Sequence, residues 1–170
     1  MSDEQIRNHP SVLRVEKELE NLGLKKEIKV LSETARTAQE AADALGIHVG
    51  QVASSIIFRL PSGAPLLVIT SGRHRVNTEK VANLLGVEKL FRADADFVKN
   101  ATGISIGGVS PFGWEPNTDL IPLPAVKLLD KDLAVYEVLW AAAGHTHAVF
   151  PLTYQELLNF SGASEAEVAD

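Results

Sequence analysis

The amino-acid sequence predicts one domain of the mixed α/β class. Its 170 residues suffice for one hydrophobic core and are few for two. Segments with helical and β-type patterns alternate along the whole length, with no repeat, linker or change in composition between them. The predicted strands outnumber the helices that could cross between parallel strands, which argues against a purely parallel, doubly wound sheet.

The N-terminal part, residues 1–34, is predicted to hold a helix and a short strand. Apolar residues recur at steps of three and four over residues 10–22, so that they share one face of a helix. Gly23 is placed to end this helix in a left-handed conformation. The apolar residues 28–31 predict the strand.

Further helices are predicted from residues that can cap a first turn, namely Thr37, Asn77, Asp94 and Thr153. Strands are predicted from short β-rich runs at residues 52–60, 66–71, 126–129, 136–141 and 148–152. The first two of these runs flank a turn of proline and glycine and are expected to form a hairpin. Residues 103–124 are rich in glycine and proline and are predicted to be loop, and residues 164–170 a frayed tail.

Composition excludes several kinds of site. The absence of cysteine excludes disulfides, thiolate nucleophiles and cysteine zinc sites, and it fits a reducing cytoplasm. The sequence holds no glycine-rich dinucleotide fingerprint and no phosphate-binding P-loop. The first residues do not form a signal peptide, and no apolar run approaches the length of about 20 residues that crosses a bilayer. We therefore expect a cytoplasmic protein that needs no cofactor and contacts no membrane.

Charge limits the possible partners. The chain carries 16 Lys and Arg against 22 Asp and Glu, a net charge of −6. Proteins that hold long stretches of nucleic acid usually present a basic field, because neutralising phosphates supplies much of their affinity. The sequence therefore predicts no extended nucleic-acid surface. A small basic pocket for a nucleotide or an RNA terminus remains compatible with the overall charge.

The most distinctive segment is Gly107-Gly108-Val109-Ser110-Pro111-Phe112-Gly113. Adjacent glycines allow the backbone to approach a ligand and to aim its amides into a cavity, and Pro111 stiffens the turn. Such amides can stabilise the oxyanion that forms when an ester is attacked. The alternative is an ordinary surface turn.

Several short blocks, in this order, resemble the YbaK/ProX family of aminoacyl-tRNA deacylases, which is homologous to the insertion domain of prolyl-tRNA synthetase. The blocks are Thr37-Ala38-Gln39-Glu40-Ala41-Ala42, Gln51-Val52-Ala53-Ser54-Ser55, Ser71-Gly72-Arg73-His74-Arg75-Val76-Asn77, Ala93-Asp94, residues 102–113 and Ala142-Ala143-Gly144. The resemblance covers roughly residues 35–163. Each block is weak alone, and their order makes the resemblance specific.

The resemblance implies a mixed, bent β-sheet flanked by helices, spanning residues 1–170 as a single domain. It implies hydrolysis in trans of an amino acid wrongly attached to tRNA, often tRNA for proline. The expected partners are the 3′ end of aminoacylated tRNA and prolyl-tRNA synthetase. The loop from Gly107 to Pro111 corresponds to the substrate loop of the family, with Gly107 and Gly108 as catalytic donors and Val109, Ser110 and Pro111 in contact with substrate.

One departure from the family concerns Ser54, because the family usually has a lysine at this position. The exchange removes a positive charge from the expected pocket, where Ser54 is predicted to take the catalytic position with a hydrogen bond in place of the lysine, and its neighbour Ser55 to contact substrate. Two hypotheses follow: a working deacylase, or a catalytically weakened module that binds aminoacyl-tRNA or a synthetase. A hydrolase for another small ester or amide is a third.

Arg73, His74 and Arg75 follow a strand end, from which they could hold phosphate. The alternative is a solvated turn. By the same resemblance Asp130 is a candidate for binding the substrate's α-ammonium group, with a solvated acidic turn as its alternative.

The glycine-containing turn before His145 supplies two more candidates. Gly144 and His145 could line an amino-acid pocket. His145 and His147 alternate along a strand and so share a face, but a zinc site needs a third ligand that the sequence does not indicate. We therefore predict no metal.

Overall fold

An eight-stranded mixed sheet forms the centre of the computed structural model, which describes residues 2–32 and 35–170. Its strands are β1 (Lys29–Val30), β2 (Val52–Arg59), β3 (Pro65–Ser71), β4 (Phe91–Arg92), β5 (Val126–Asp130), β6 (Leu139–His145), β7 (Ala148–Leu152) and β8 (Ser164–Ala166). They lie in the order β1-β7-β6-β2-β3-β5-β8, and β4 pairs with β2. Parallel pairs (β2–β6, β3–β5 and β5–β8) stand beside antiparallel ones, which confirms the mixed α/β class.

Helices cover both faces of this sheet. They are α1 (Asp3–Arg7), α2 (Pro10–Asn21), α3 (Ala38–Leu45), α4 (Thr78–Leu85), α5 (Ala95–Thr102) and α6 (Tyr154–Phe160), with 3₁₀ turns at Val49–Gln51 and Lys131–Val135. Every residue of β3 is buried, and alternate side chains serve two cores. Leu67 and Ile69 pack in the core that contains α2, whereas Leu66 and Val68 pack in the core that contains α4.

The predicted helix starts are confirmed. Thr37, Asn77, Asp94 and Thr153 each accept, through the side chain, the backbone amide three residues further on. This contact satisfies one of the amides that a first turn leaves unpaired. The predicted helix at residues 10–22 corresponds to α2, and Gly23 follows it with φ +77°.

One edge of β2 is paired only at its two ends. On the other edge, β3 pairs with β2 continuously from Ala53 to Arg59. Opposite β3, β6 pairs with the first two residues of β2 and β4 with the last two. In the described part of the chain, no strand pairs that edge along residues 54–57.

The gap arises because β6 bends away from β2. The register of β6 with β7 shifts between Ala142 and His145, and Gly144 within this bulge has φ +99°. A Cβ on Gly144 would lie 2.7 Å from the backbone of Ser11 in α2, so only glycine permits this approach. The packing of α2 against the bulge thus keeps β6 from continuing along β2.

Two predictions about elements are wrong in detail, and one element was missed. The expected strand at residues 136–141 begins later, as β6, because Tyr136 instead packs its hydroxyl against Gly50. The short helix α1 was not predicted. The expected frayed tail is ordered: β8 pairs with β5, and Asn77 donates its backbone amide to the carbonyl of Val168 (2.7 Å). The tail's few apolar residues alternate with acidic ones. The sequence therefore reads as a polar terminus, although this alternation also suits an edge strand with one buried face.

We predict that Val168→Ala destabilises the fold. Val168 is fully buried in the core that contains α4, and removing two buried carbons costs about 2 kcal/mol. Val135, 71% exposed, provides the matched control, for which Val135→Ala should change the free energy of unfolding by less than about 0.5 kcal/mol. Urea denaturation measures both. Equal effects of the two substitutions would mean that the C-terminal segment is not docked.

Candidate active site

A cavity of about 460 Å³ opens at the gap in the pairing of β2. We call it the main cavity. Its walls are β2 from Val52 to Phe58, the start of α3, the turn around Gly107, and the bulge of β6. A neighbouring side cavity of about 430 Å³ lies between β2, the end of β3 and the start of α4.

The structure brings part of the predicted site together. Ser54, Ser55, Gly107 and Val109 line the main cavity. Ser54 also lines the side cavity, which includes His74 and Arg75. The remaining candidates line neither cavity within the described residues: Arg73, Gly108, Ser110, Pro111, Asp130, Gly144 and His145.

Gly107 occupies the third position of a tight turn. The amide of Gly108 donates to the carbonyl of Ser105 (3.0 Å), and Gly107 has φ +92°. Since no non-glycine residue here has a positive φ, this is the arrangement of a type II turn, whose third residue is usually glycine. In the described part of the chain, no group accepts the amides of Gly107 and Val109. Two unpaired backbone donors therefore stand at the main cavity.

Gly108 has a different role from the one the sequence predicted. Its amide is engaged in the turn, and its carbonyl accepts the amide of Gly144 (3.1 Å). A Cβ on Gly108 would lie 2.8 Å from the backbone of His145. Gly108 is thus required for close packing between the loop and the β6 bulge, and its amide is not available as an oxyanion donor.

Ser110 and Pro111 lie in the buried continuation of this loop. The hydroxyl of Ser110 accepts the amide of Phe112 (3.2 Å), and its carbonyl accepts the indole N–H of Trp114 (2.7 Å). These contacts hold the loop from behind, so Ser110 serves its conformation.

Helix α2 clamps both ends of the loop. The guanidinium of Arg14 donates to the carbonyl of Gly103 (2.7 Å), and the carboxylate of Glu18 accepts the amide of Gly113. Sequence reasoning missed both residues. No local motif indicates contacts about 90 residues away along the chain.

The two serines of β2 differ in their surroundings. Ser54, Ile56 and Phe58 point to the face shared with the side cavity, whereas Ser55 points to the opposite face. The Oγ atom of Ser55 is buried and has no hydrogen-bond partner among the described residues. A buried hydroxyl without a partner is costly, and a bound polar ligand would satisfy it.

The charges around the cavities are of one sign. Among the described residues that line them, Arg36, Arg92 and Arg75 are cationic and none is an aspartate or glutamate. On a chain of net charge −6, this is a local reversal of sign. Such a reversal favours an anionic ligand.

Asp130 is buried beneath the end of β3. Its carboxylate accepts the hydroxyl of Thr70 (3.1 Å) and the amides of Ser71 (3.0 Å) and Asp132 (3.0 Å). His74 donates from Nε2 to the carboxylate of Asp132 (2.8 Å). Asp130 thus organises the strand end that carries His74, and the structure does not place it where a substrate's ammonium group in the main cavity would reach it.

A family profile described as aminoacyl-tRNA editing domain matches residues 32–160. The chain belongs to this family. The resemblance to YbaK/ProX deacylases is thereby confirmed. The match begins after α2, so this helix lies outside it.

Similar proteins differ in how much of their own length the match covers. A solved structure described as a candidate trans-editing enzyme for prolyl-tRNA synthetase is 36% identical, with a TM-score of 0.85 and coverage of 95% of this chain and 98% of that one. The uncharacterized protein YwhH of Bacillus subtilis is 25% identical over 128 residues, which are 75% of this chain and 76% of YwhH. The proline–tRNA ligase of Bacillus licheniformis is 34% identical over 111 residues, which are 63% of this chain and 19% of the ligase.

In this editing domain, no described helix has the length and apolar character needed to span a bilayer.

The histidines near the β6 bulge form a stack at the edge of the editing domain. The ring centroid of His145 lies 5.7 Å from that of His9 and 5.5 Å from that of His147. The Nδ1 atom of His145 accepts the amide of His147 (3.1 Å), so its neutral ring carries the proton on Nε2. That tautomer leaves neither nitrogen of His145 ready to bind a metal.

We predict a loss of stability in mild acid that depends on His145. Burial, and then the neighbouring His147 and His9, lower the pKa of His145 below its ordinary value of 6.5. The unfolded chain, with the ordinary pKa, binds the proton more tightly than the folded one. The stabilisation is therefore complete above a pH of about 6.5 and is lost as the pH falls toward the lower folded pKa.

Denaturation at a series of pH values measures this dependence. His145→Gln should flatten the profile below pH 6.5 relative to the parent, whereas replacing the exposed His48 by Gln should leave it unchanged. Parallel profiles for the parent and the His145 variant would contradict the assignment.

Proposed function

We propose that this editing domain is an aminoacyl-tRNA deacylase that acts in trans on mischarged tRNA, with tRNA for proline as its first candidate. The observation that carries the proposal is that Gly107 and Val109, whose amides have no acceptor in the described part of the chain, line the main cavity together with β2. The family, the similar trans-editing candidate and the matched segment of proline–tRNA ligase support the choice of tRNA.

The reaction needs an acceptor for negative charge on the ester carbonyl oxygen. Water adds to the carbonyl carbon, the ester C–O bond breaks, and the terminal ribose oxygen leaves as a hydroxyl with a proton that water supplies. In the proposal, the amide of Gly107 donates to the developing oxyanion, with Val109 beside it. Each such donor contributes about 3 kcal/mol to transition-state stabilisation. A hydroxyl of the substrate's own ribose can assist the attack.

Arginines compensate for the missing lysine at position 54. Arg92 lines the main cavity from β4, where it pairs with Phe58 just after the gap, and in the described part of the chain it has no ion-pair partner. Arg36 lines the same cavity from the segment before α3. In the proposal, their guanidinium groups bind the terminal phosphate, and the hydroxyl of Ser54 donates a neutral hydrogen bond.

The direct test is deacylation of tRNA for proline and of unrelated tRNAs, each charged with a panel of non-cognate amino acids. We expect the purified protein to release amino acid from the mischarged proline tRNA faster than spontaneous hydrolysis does. Arg92→Gln should lower kcat/KM by about tenfold, since it removes a charged hydrogen bond. Arg59→Gln is the matched control, because Arg59 lies next to Arg92 on the paired strand and stacks on Phe91, outside both cavities. No release above the spontaneous rate from any tRNA would refute the proposal.

A second candidate function is favoured by Ser54 itself. A domain that kept the fold and lost the charge could bind aminoacyl-tRNA, or a synthetase, without hydrolysing the ester. This module would have a cavity fit for the ligand and too little electrostatic stabilisation of the transition state.

Ser54→Lys separates the two candidates. If Ser54 belongs to a working site, the added lysine gives no gain in deacylation, because the arginines already supply the charge. If the domain is a weakened module, the lysine raises the rate by about tenfold or more. Ser62→Lys, at the exposed hairpin turn, adds the same charge away from the cavity and controls for non-specific attraction of tRNA.

A further inference from the structure

The side cavity continues the main cavity along one face of β2. The two share Ala38, Ser54, Ile56 and Phe58 as lining residues. Because residues 54, 56 and 58 alternate along a strand, their side chains form one row between the cavities. A ligand in the main cavity that is longer than one nucleoside can extend over this row.

The far end of the side cavity is suited to an anion. Arg75 lines it, is exposed, and has no ion-pair partner in the described part of the chain. His74 lines it as well, with Nε2 donating to Asp132, so that Nδ1 is left to accept a hydrogen bond from a ligand hydroxyl. Asp130 and Asp132 bind their partners behind His74 and are not among the residues that line the cavity.

The row between the cavities is apolar and partly open. Ile56 is 39% exposed although it lies on a central strand, and Phe58 is half-buried beside it. Proteins often bind single-stranded nucleic acid on aromatic and apolar surfaces flanked by cations. The bases stack on the aromatic side chains, and the phosphates pair with the cations. The row therefore offers a platform for a base between two cationic ends.

We propose that the side cavity binds the penultimate nucleotide of an RNA 3′ end, with Arg75 on the phosphate at its 5′ side and Phe58 and Ile56 beneath its base. The phosphate that joins this nucleotide to the terminal nucleoside stays with Arg36 and Arg92. This subsite rests on the proposed function, since it assumes that the terminal nucleoside occupies the main cavity. It offers a reason why a domain of net charge −6 can hold RNA, since the proposed contact is confined to two or three nucleotides around the two cavities.

Binding of uncharged RNA tests the subsite without requiring catalysis. The probes are adenosine, the dinucleotide CpA and the trinucleotide CpCpA, titrated by calorimetry or by competition with a labelled trinucleotide. We expect the dinucleotide and trinucleotide to bind more tightly than adenosine. Arg75→Ala should weaken trinucleotide binding about tenfold while leaving adenosine unaffected, because the lost contact is a charge-assisted hydrogen bond to phosphate.

Salt dependence adds a second readout. Each phosphate contact on a single strand contributes about 0.7 to the slope of log affinity against log salt concentration, so Arg75→Ala should reduce this slope by about 0.7. Phe58→Leu should weaken the dinucleotide more than adenosine, because Phe58 lines both cavities but is proposed to stack only on the penultimate base. The control is Arg59→Ala, which removes an arginine of β2 that lines neither cavity. It should preserve both the trinucleotide affinity and the salt slope.

The outcomes separate this subsite from the function on which it rests. If the parent binds the trinucleotide more tightly than adenosine, but Arg75→Ala behaves like Arg59→Ala, the side cavity is not the subsite and the deacylase proposal is unaffected. If all three probes bind equally, the subsite is wrong and the RNA contact ends at the terminal nucleoside. If the parent binds none of them, the subsite is wrong, and the deacylase proposal is decided by the release of amino acid from mischarged tRNA. Thermal unfolding of each variant shows that the comparison is made on folded protein.

Discussion

The incomplete pairing of β2 is the constraint on which the rest of the candidate site depends. A central strand that is paired on both edges offers a ligand only its side chains. Here residues 54–57 lack a strand partner opposite β3 among the described residues and line the main cavity, and the buried Ser55 Oγ has no hydrogen-bond partner among those residues. The gap persists because Gly144 packs its backbone onto α2, and Gly108 packs onto His145. Any side chain at these two glycines would displace β6 or the loop, and with them the wall of the cavity.

Rigidity of the loop comes from a helix outside the family match. Arg14 and Glu18 of α2 bind the two ends of the loop, and Ser110 secures its middle through Phe112 and Trp114. Donors held in place before the substrate arrives stabilise a developing charge without the cost of reorganisation, which is the physical advantage of such a clamp. Helix α2 therefore supports the loop of the proposed site, although it contributes no residue to either cavity in the described structure.

Local patterns predicted most elements of the fold, because capping residues, glycine stops and alternating apolar runs act over a few residues. They also indicated Gly107, whose positive φ a type II turn requires. Sequence could not assign the amide of Gly108, since its use depends on the fold of that turn. Nor could it find Arg36 and Arg92, which come from separate elements and meet only around the gap. For Asp130 the sequence suggested a ligand contact that the fold does not provide. Three protein groups donate hydrogen bonds to its carboxylate and hold it beneath the end of β3.

The central claim is that the ester lies in the main cavity with its carbonyl oxygen at the amide of Gly107. Amide NMR spectra recorded during titration with an uncleavable analogue, adenosine carrying an aminoacyl group in amide linkage at the 3′ position, test this directly. The account predicts that the Gly107 and Val109 resonances move to the chemical shifts of hydrogen-bonded amides, together with those of β2. The Gly108 amide, already bonded to Ser105, should change little. Saturable binding that leaves Gly107 and residues 54–57 unperturbed, with the largest shifts elsewhere, would contradict it.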